Sequence, residues 1–287
     1  VPLLKFFCWE DVRIAAVNSL EPLLRSAKLA TQKQVAGASV QFCHEMFTYL
    51  WQHLMTALGK ESEPAVIDSM VEAVRDIVDL MPEMLTDEQK AHAFKAMEKV
   101  MAQCLERRTE RLKRKQSEDF DEEEAEALRE ENELEEELVQ QVANTLGTML
   151  KQYKDAVMPL VEAMLPGFYP MLDKSKSTAE ERRIALGLMD DMLEYAPSTS
   201  AKFVKQMVPL FMEAMMEPGS PDLNQCAVYG LGIVAVNFSA ELAPVLQQVL
   251  EGVVALVQAP DARSKEHEHR FDNAISTLGK LMATYGE

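Results

Sequence analysis

Glycine and proline are scarce, 11 and 13 among 287 residues. Their rarity excludes collagen-like and turn-rich all-β chains. With Leu, Ala, Met, Glu and Val abundant, it favours helix. Cysteine is scarcer still. Cys8, Cys43, Cys104 and Cys226 lie far apart and form no CxxC pair. That excludes a disulfide framework and a zinc ribbon, and it points to reduced, buried thiols in a cytosolic or nuclear protein. Long apolar runs are missing too. The best stretches, 233–236 and 253–257, fall well below the ~18 residues that cross a bilayer. The opening VPLLKFFCWE has no basic leader and no initiating Met, so the chain reads as a fragment of something longer. Positive charge is in deficit: 29 Lys and Arg against 47 Asp and Glu, a net −18. Such a chain repels phosphate backbones, and its electrostatic partners are basic peptides and basic protein faces.

Catalytic signatures are also wanting. There is no Gly-rich phosphate loop and no GxSxG elbow. HEMFT, starting at His44, opens like a zinc-protease helix, but Thr48 stands where the second His is required. His267 and His269 are two apart, and on a helix they point away from a common metal. Asp190 and Asp191 are adjacent acids without a readable partner acid, base or nucleophile. No catalytic, cofactor or metal site is expected, and the chain is read as a non-enzyme.

What is present is a repeat. Six segments share a polar start, a small or apolar anchor and an apolar residue four later: Ala16 with Leu20, Met70 with Val74, Val142 with Leu146, Ala185 with Met189, Ala227 with Leu231, and Ala274 with Leu278. The last four anchors recur every 42–47 residues, the size of a HEAT or armadillo unit. Between them run amphipathic stretches at 40–58, 86–107, 157–172, 203–216 and 242–257, with apolar residues three and four apart. Each unit is thus a helix A, a turn and a helix B. One unit cannot bury its apolar face alone. The expected fold is therefore all-α: a right-handed α-solenoid of about six antiparallel helix pairs, the first incomplete, in one domain over 1–287. Thr86 with Gln89 and Thr178 with Glu181 read as capping boxes, and Ser220-Pro221 as an N-cap before a first-turn proline. Gly187, Gly230, Gly232 and Gly279 read as points of close helix approach. Each costs about 1 kcal/mol against alanine, which close packing must offset.

One interval is too long. Between anchors 70 and 142 lie some 25–30 residues beyond the usual unit. The excess, 107–137, falls between helices A and B of the third repeat. It begins with Arg107, Arg108, Arg111, Lys113, Arg114 and Lys115, and then turns acidic. Residues 118–137 hold thirteen Asp and Glu against one Arg. The basic part is expected to end one long helix from Thr86 to Lys115, and the acidic part to re-enter helix around Leu134. Three compatible readings stand: a solvated linker, an acidic run folded back on the basic turns through exposed, weak ion pairs, and an acidic lure for a basic partner.

These segments, in this order, resemble the C-terminal HEAT repeats of importin beta type nuclear transport receptors (karyopherin beta), closest to the importin beta-3 or importin five (Ran-binding protein five) branch. The stretches that carry the resemblance are DVRIAAVNSLEPLL, LKRKQSEDFDEEEAEAL, RRIALGLMDDMLEYAP, NQCAVYGLGIVAV and NAISTLGKLM. The resemblance implies a carrier that moves protein cargo through the nuclear pore under control of Ran-GTP. It implies Ran GTPase, basic protein cargo and Phe-Gly nucleoporins as partners, a monomer shuttling between cytoplasm and nucleus, and neither nucleic acid nor membrane insertion. The main Ran and pore contacts in such receptors lie mostly N-terminal to this region. B helices line the concave side in the family, so Asp190, Asp191, Glu194, Asn224 and Asn237 would be exposed there. Acidic insertions in the family contact Ran or cargo, which assigns partner binding to Glu118, Asp119, Asp121, Glu122, Glu123 and Glu124. The alternative is another HEAT scaffold of the phosphatase-scaffold or assembly-adaptor type, which tends to have more uniform repeats without a long acidic insertion. A DNA-processing enzyme on an α-solenoid needs a basic groove, and this chain has the opposite charge.

Overall fold

Helix-forming composition and clear capping signals give a chain whose regular elements, among the described residues, are all helical. The structure, a computed structural model, describes residues 1–6, 8–115 and 121–286. It divides into two compact units, Val1–Gln152 and Tyr153–Glu287.

The first unit holds α1 (Glu10–Asn18), α2 (Leu20–Gln32), α3 (Val40–Leu58), α4 (Pro64–Leu80), α5 (Asp87–Arg114) and α6 (Glu122–Tyr153). α1 and α2, separated at Ser19, both pack on α4, and α3 packs against α2, α4 and α5. α4 in turn meets α6. Thr145 donates its hydroxyl to Gln141 O at 2.8 Å and lies 3.4 Å from Val71 O, and Arg75 Nη1 donates to Gln141 Oε1 at 3.0 Å. The second unit holds α7 (Met158–Phe168), α8 (Ala179–Tyr195), α9 (Pro197–Ser200), α10 (Val204–Met215), α11 (Pro221–Asn237), α12 (Ser239–Leu242), α13 (Leu246–Gln258) and α14 (Glu268–Tyr285). Here α8 packs on α11 and α11 on α14, while α10 covers α11 and α13 covers α14. The B helices thus stack in chain order, α11 between α8 and α14, as repeat stacking requires.

Within each unit the repeat anchors turn toward the core. Met70, Val142, Ala185, Ala227 and Ala274 are buried, and Ala16 is half-buried. Large side chains fill the space between helices, with Phe47 stacked on Trp51 at 5.9 Å between ring centroids. Met70, Met149, Met158, Met189 and Met207 are buried among them, as their flexible thioethers suit irregular gaps. Burying each such side chain contributes about 1.5–3 kcal/mol. Cys43 and Cys104 are buried, as expected of inert thiols. Cys8 is exposed and Cys226 half-buried.

Both capping boxes form. Thr86 Oγ1 accepts from Gln89 N and Thr178 Oγ1 from Glu181 N, each reciprocated by the glutamine or glutamate side chain. Ser39, which the sequence reading passed over, also caps α3. Ser220 stands at the N-cap of α11 but makes no side-chain cap bond. Proline shortens two A helices. α7 carries Pro166 inside and gives way to a 3-10 turn, Tyr169–Leu172, at Pro170. α13 begins at Leu246, after a 3-10 turn that contains Pro244.

Three expectations need correction. A Cβ on Gly230 would collide with Asp190 Oδ1 and come within 2.7 Å of Phe211, and one on Gly232 would lie 2.6 Å from Thr277 Oγ1. Gly187 and Gly279, by contrast, face open space, so close approach is not their role. The stretch Ser239–Gln258 is long and apolar enough to cross a membrane by length and composition, with a mean hydropathy of 1.4. Pro244 and scattered polar residues break it into short apolar runs; in the fold, Leu242, Val249, Val253 and Leu256 turn one side of it inward. Finally, α6 starts at Glu122, about three turns before Leu134; three of its acids, Glu124, Glu131 and Glu135, pair with arginines of α5.

Candidate functional site

The basic end of α5 and the acidic start of α6 form a charge zipper within the first unit. Arg107, Arg111 and Arg114 recur at four and three, and so share one face of α5. Glu124, Glu131 and Glu135 are spaced seven and four, and share one face of α6. The two helices run antiparallel, so the early arginine meets the late glutamate. Arg107 Nε and Nη2 donate to Glu135 at 2.9 and 2.7 Å. Arg111 reaches the same carboxylate at 2.8 Å and Asn132 Oδ1 at 2.8 Å. Arg114 pairs with Glu131 at 2.9 Å and Glu124 at 3.3 Å.

The zipper is graded. The side chains of Arg111 and Glu135 are 8% and 11% exposed, whereas Arg114 and Glu131 are 41% and 43% exposed. The inner rung is therefore not one of the weak, exposed pairs expected. Burial works against the Glu135 charge, but hydrogen bonds from Arg107, Cys104 and Arg111 outweigh it and hold the carboxyl below its ordinary range. The same burial, with Glu135 alongside, pushes the Cys104 thiol up. Leu128 and Leu138 seat α6 on the core, while Leu134 is exposed.

Asp121 caps α6, its Oδ1 accepting from Glu124 N at 2.9 Å. Asp121, Glu122 and Glu123 are exposed, and Glu124 is half-buried against Arg114. They concentrate negative charge at the helix N-terminus, where the macrodipole favours it. Glu118 and Asp119 lie outside the described residues. Further along, α4 and α6 assemble an acidic patch around Asp68. Burial, with Glu72 and Glu137 nearby and Arg75 opposing, pushes Asp68 up to about 6. The sequence reading missed this patch. Its local half, Glu72 with Arg75, was legible as an i,i+3 pair, but Glu137 comes from another helix.

In the second unit the five inner-helix candidates separate. Asp190 and Asn224 are 5% and 2% exposed, which corrects the expectation that they face a partner. Asn224 spends its amide on Ala214 O and Glu217 O, both at 2.9 Å, closing the turn between α10 and α11. Asn237 is exposed, yet its amide donates to Leu193 O at 3.1 Å and ties α11 to α8. Asp191 and Glu194 are half-buried, and Glu194 accepts from the Tyr229 hydroxyl at 2.7 Å. Lys280 of α14 lies 5.1 Å from the Tyr229 ring centroid. At the opposite end of α8, Glu180, Arg183, Asp222, Gln225 and Cys226 line a cleft of about 210 Å³. The surface that results is polar and mainly acidic, suited to holding cationic side chains.

Comparison with known proteins agrees with the resemblance read in the sequence. A family model described as Importin repeat 6 matches residues 66–174. A probable importin-5 homolog of Dictyostelium discoideum is 23% identical over 278 residues, 94% of this chain and 26% of that protein. Importin subunit beta-3 of Saccharomyces cerevisiae is 23% identical over 287 residues, 99% of this chain and 25% of that protein. The chain thus spans about a quarter of the length of these relatives. Among solved structures, the karyopherin Kap121p matches with a TM-score of 0.77 at 20% identity, over 99% of this chain and 25% of that one. Kap121p has also been solved with RanGTP, Pho4p and Nup53p. In sequence and in fold the chain is similar to importin beta type receptors, and its fold is the all-α HEAT-repeat solenoid.

Proposed function

We propose, from this similarity to importin beta receptors, that the chain is a HEAT-repeat segment of a nuclear transport receptor. It carries protein cargo through the nuclear pore under control of Ran-GTP. The observation that carries the reading is colinear similarity over 94% or more of the chain to proteins of the importin-5 and importin beta-3 kind. The protein acts as a carrier rather than a catalyst, as a monomer that shuttles between cytoplasm and nucleus. Ran, basic cargo and Phe-Gly nucleoporins are its partners.

Residues 107–137 act as a charged extension between the two helices of the third pair. Its inner rung is consumed by Arg107 and Arg111, so basic partners address the outer end: Asp121, Glu122, Glu123 and, in exchange for Arg114, Glu124. Glu118 and Asp119 continue that acidic run in sequence. In the second unit Asp191, Glu194 and Asn237 are the contact residues. The test is retention of the full-length protein that carries this segment on Ran loaded with GTP or GDP. Preference for the GTP form is expected, and binding to neither sinks the transport reading. Deleting 118–137 should weaken capture of Ran-GTP or basic cargo at low salt. Unchanged binding reduces the acidic run to a stiffener.

A further inference from the structure

One carboxylate has no function in the surface just described. Asp190 is 5% exposed. Its Oδ2 accepts a weak S–H hydrogen bond from Cys226 at 3.3 Å, and its buried Oδ1 has no hydrogen-bond partner. Oδ1 occupies the space into which a Cβ on Gly230 would project, and the Phe211 ring edge is 2.7 Å from that same point. Gly230 is thus what allows α8, α10 and α11 to close over a carboxyl group.

The charged and titratable groups acting on it are Asp191 and Glu194 on α8, Cys226 and Tyr229 on α11, and Lys280 on α14, with Arg183 of α8 acting on Cys226. α10 presents the Phe211 ring. Neither Arg183 nor Lys280 donates to Asp190, so an ionised carboxylate here would be a buried charge without a counter-ion. The neutral acid avoids that cost. Burial is the largest cause and pushes Asp190 well above the ordinary carboxylate range; the Cys226 hydrogen bond opposes it, Asp191 and Glu194 add to it, and Lys280 pulls weakly the other way.

We propose that Asp190 is a proton-operated joint: the neutral acid lets α8 and α11 close against α10, and loss of its proton loosens that contact. The sign follows from linkage. In an opened or unfolded chain the carboxyl ionises near pH 4. Above that pH the open form gains by ionising while the closed form still holds its proton. The closed form therefore loses ground as pH rises, until the native group also ionises. A basic partner held at Asp191 and Glu194 would act on the same joint.

The test is amide hydrogen exchange, read by mass spectrometry on the whole chain from pH 5 to 8 and corrected for intrinsic exchange chemistry. Wild type is compared with Asp190→Asn. The opening constants of α8 and α11 peptides should rise in wild type relative to the variant by up to about tenfold per pH unit. Peptides from α5 and α6 should not differ. A flat ratio across this range overturns the proposal. If Asp190→Asn does not fold, infrared spectroscopy of the wild type decides. A carboxylic-acid carbonyl band retained at pH 8, where Asp68 is ionised, supports the joint, and its absence overturns it.

Discussion

Glu135 in α6 and Asp190 in α8 are both carboxylates set between helices, and their surroundings treat them in opposite ways. Facing Glu135, α5 brings two guanidinium groups and Cys104, and the charge is kept. Facing Asp190, α11 brings a thiol and a glycine, and the charge is disfavoured. Burial raises both carboxyls; it prevails at Asp190 and is outweighed at Glu135. The donors supplied by the facing helix decide which way the balance falls.

The largest effect should come from breaking the inner rung of the zipper. Glu135→Ala leaves Arg111, 7% exposed, without its carboxylate, at a cost of about 3 kcal/mol. Urea unfolding of the whole chain measures it, with hydrogen exchange placing the loss in α5 and α6. The pH dependence should run opposite to that of Asp190. The lowered Glu135 carboxyl contributes stability in full above about pH 4, and the contribution is lost as pH falls through its native value. Protection of α5 and α6 that stays constant in acid would break the contrast.

A smaller effect tests the glycines. Gly230→Ala drives a methyl into Asp190 and Phe211 and should cost about 1–3 kcal/mol. Gly187→Ala, on the α8 side, meets nothing within 4 Å and should stabilise by up to about 1 kcal/mol through helix propensity alone. Equal losses in thermal unfolding would mean that the α8–α11 contact is not what selects Gly230. The smallest effect belongs to Arg114→Ala. Its partners are half-exposed, so any change in the unfolding midpoint should fade as salt rises. A large, salt-insensitive loss would show that the outer rung is as well shielded as the inner one.

Much of the architecture was legible. The interval between Ala185, Ala227 and Ala274 announced stacked helix pairs, and the capping boxes at Thr86 and Thr178 located two helix starts to within one residue. These are local signals, and local backbone geometry is what they control. The site was less legible. Asp190, Asp191 and Glu194 look alike in sequence, yet one is buried and two are half-buried, because a helix's rotation about its axis is set by its neighbours' packing. The acidic run could be read as a linker, as a lure or as a fold-back on the basic turns, and sequence alone did not choose among them. In the fold it pairs with Arg107, Arg111 and Arg114.

By itself the sequence determined composition, helix periodicity, caps, the repeat interval and the position of a charged excess, because each depends on residues within a few turns of one another. Tertiary structure decided which carboxylates meet an arginine and which meet a glycine, and with that which keep their charge. Protonation and pairing depend on the dielectric and the donors around a group, and those arrive from residues distant in sequence, such as Arg107 for Glu135 and Cys226 for Asp190.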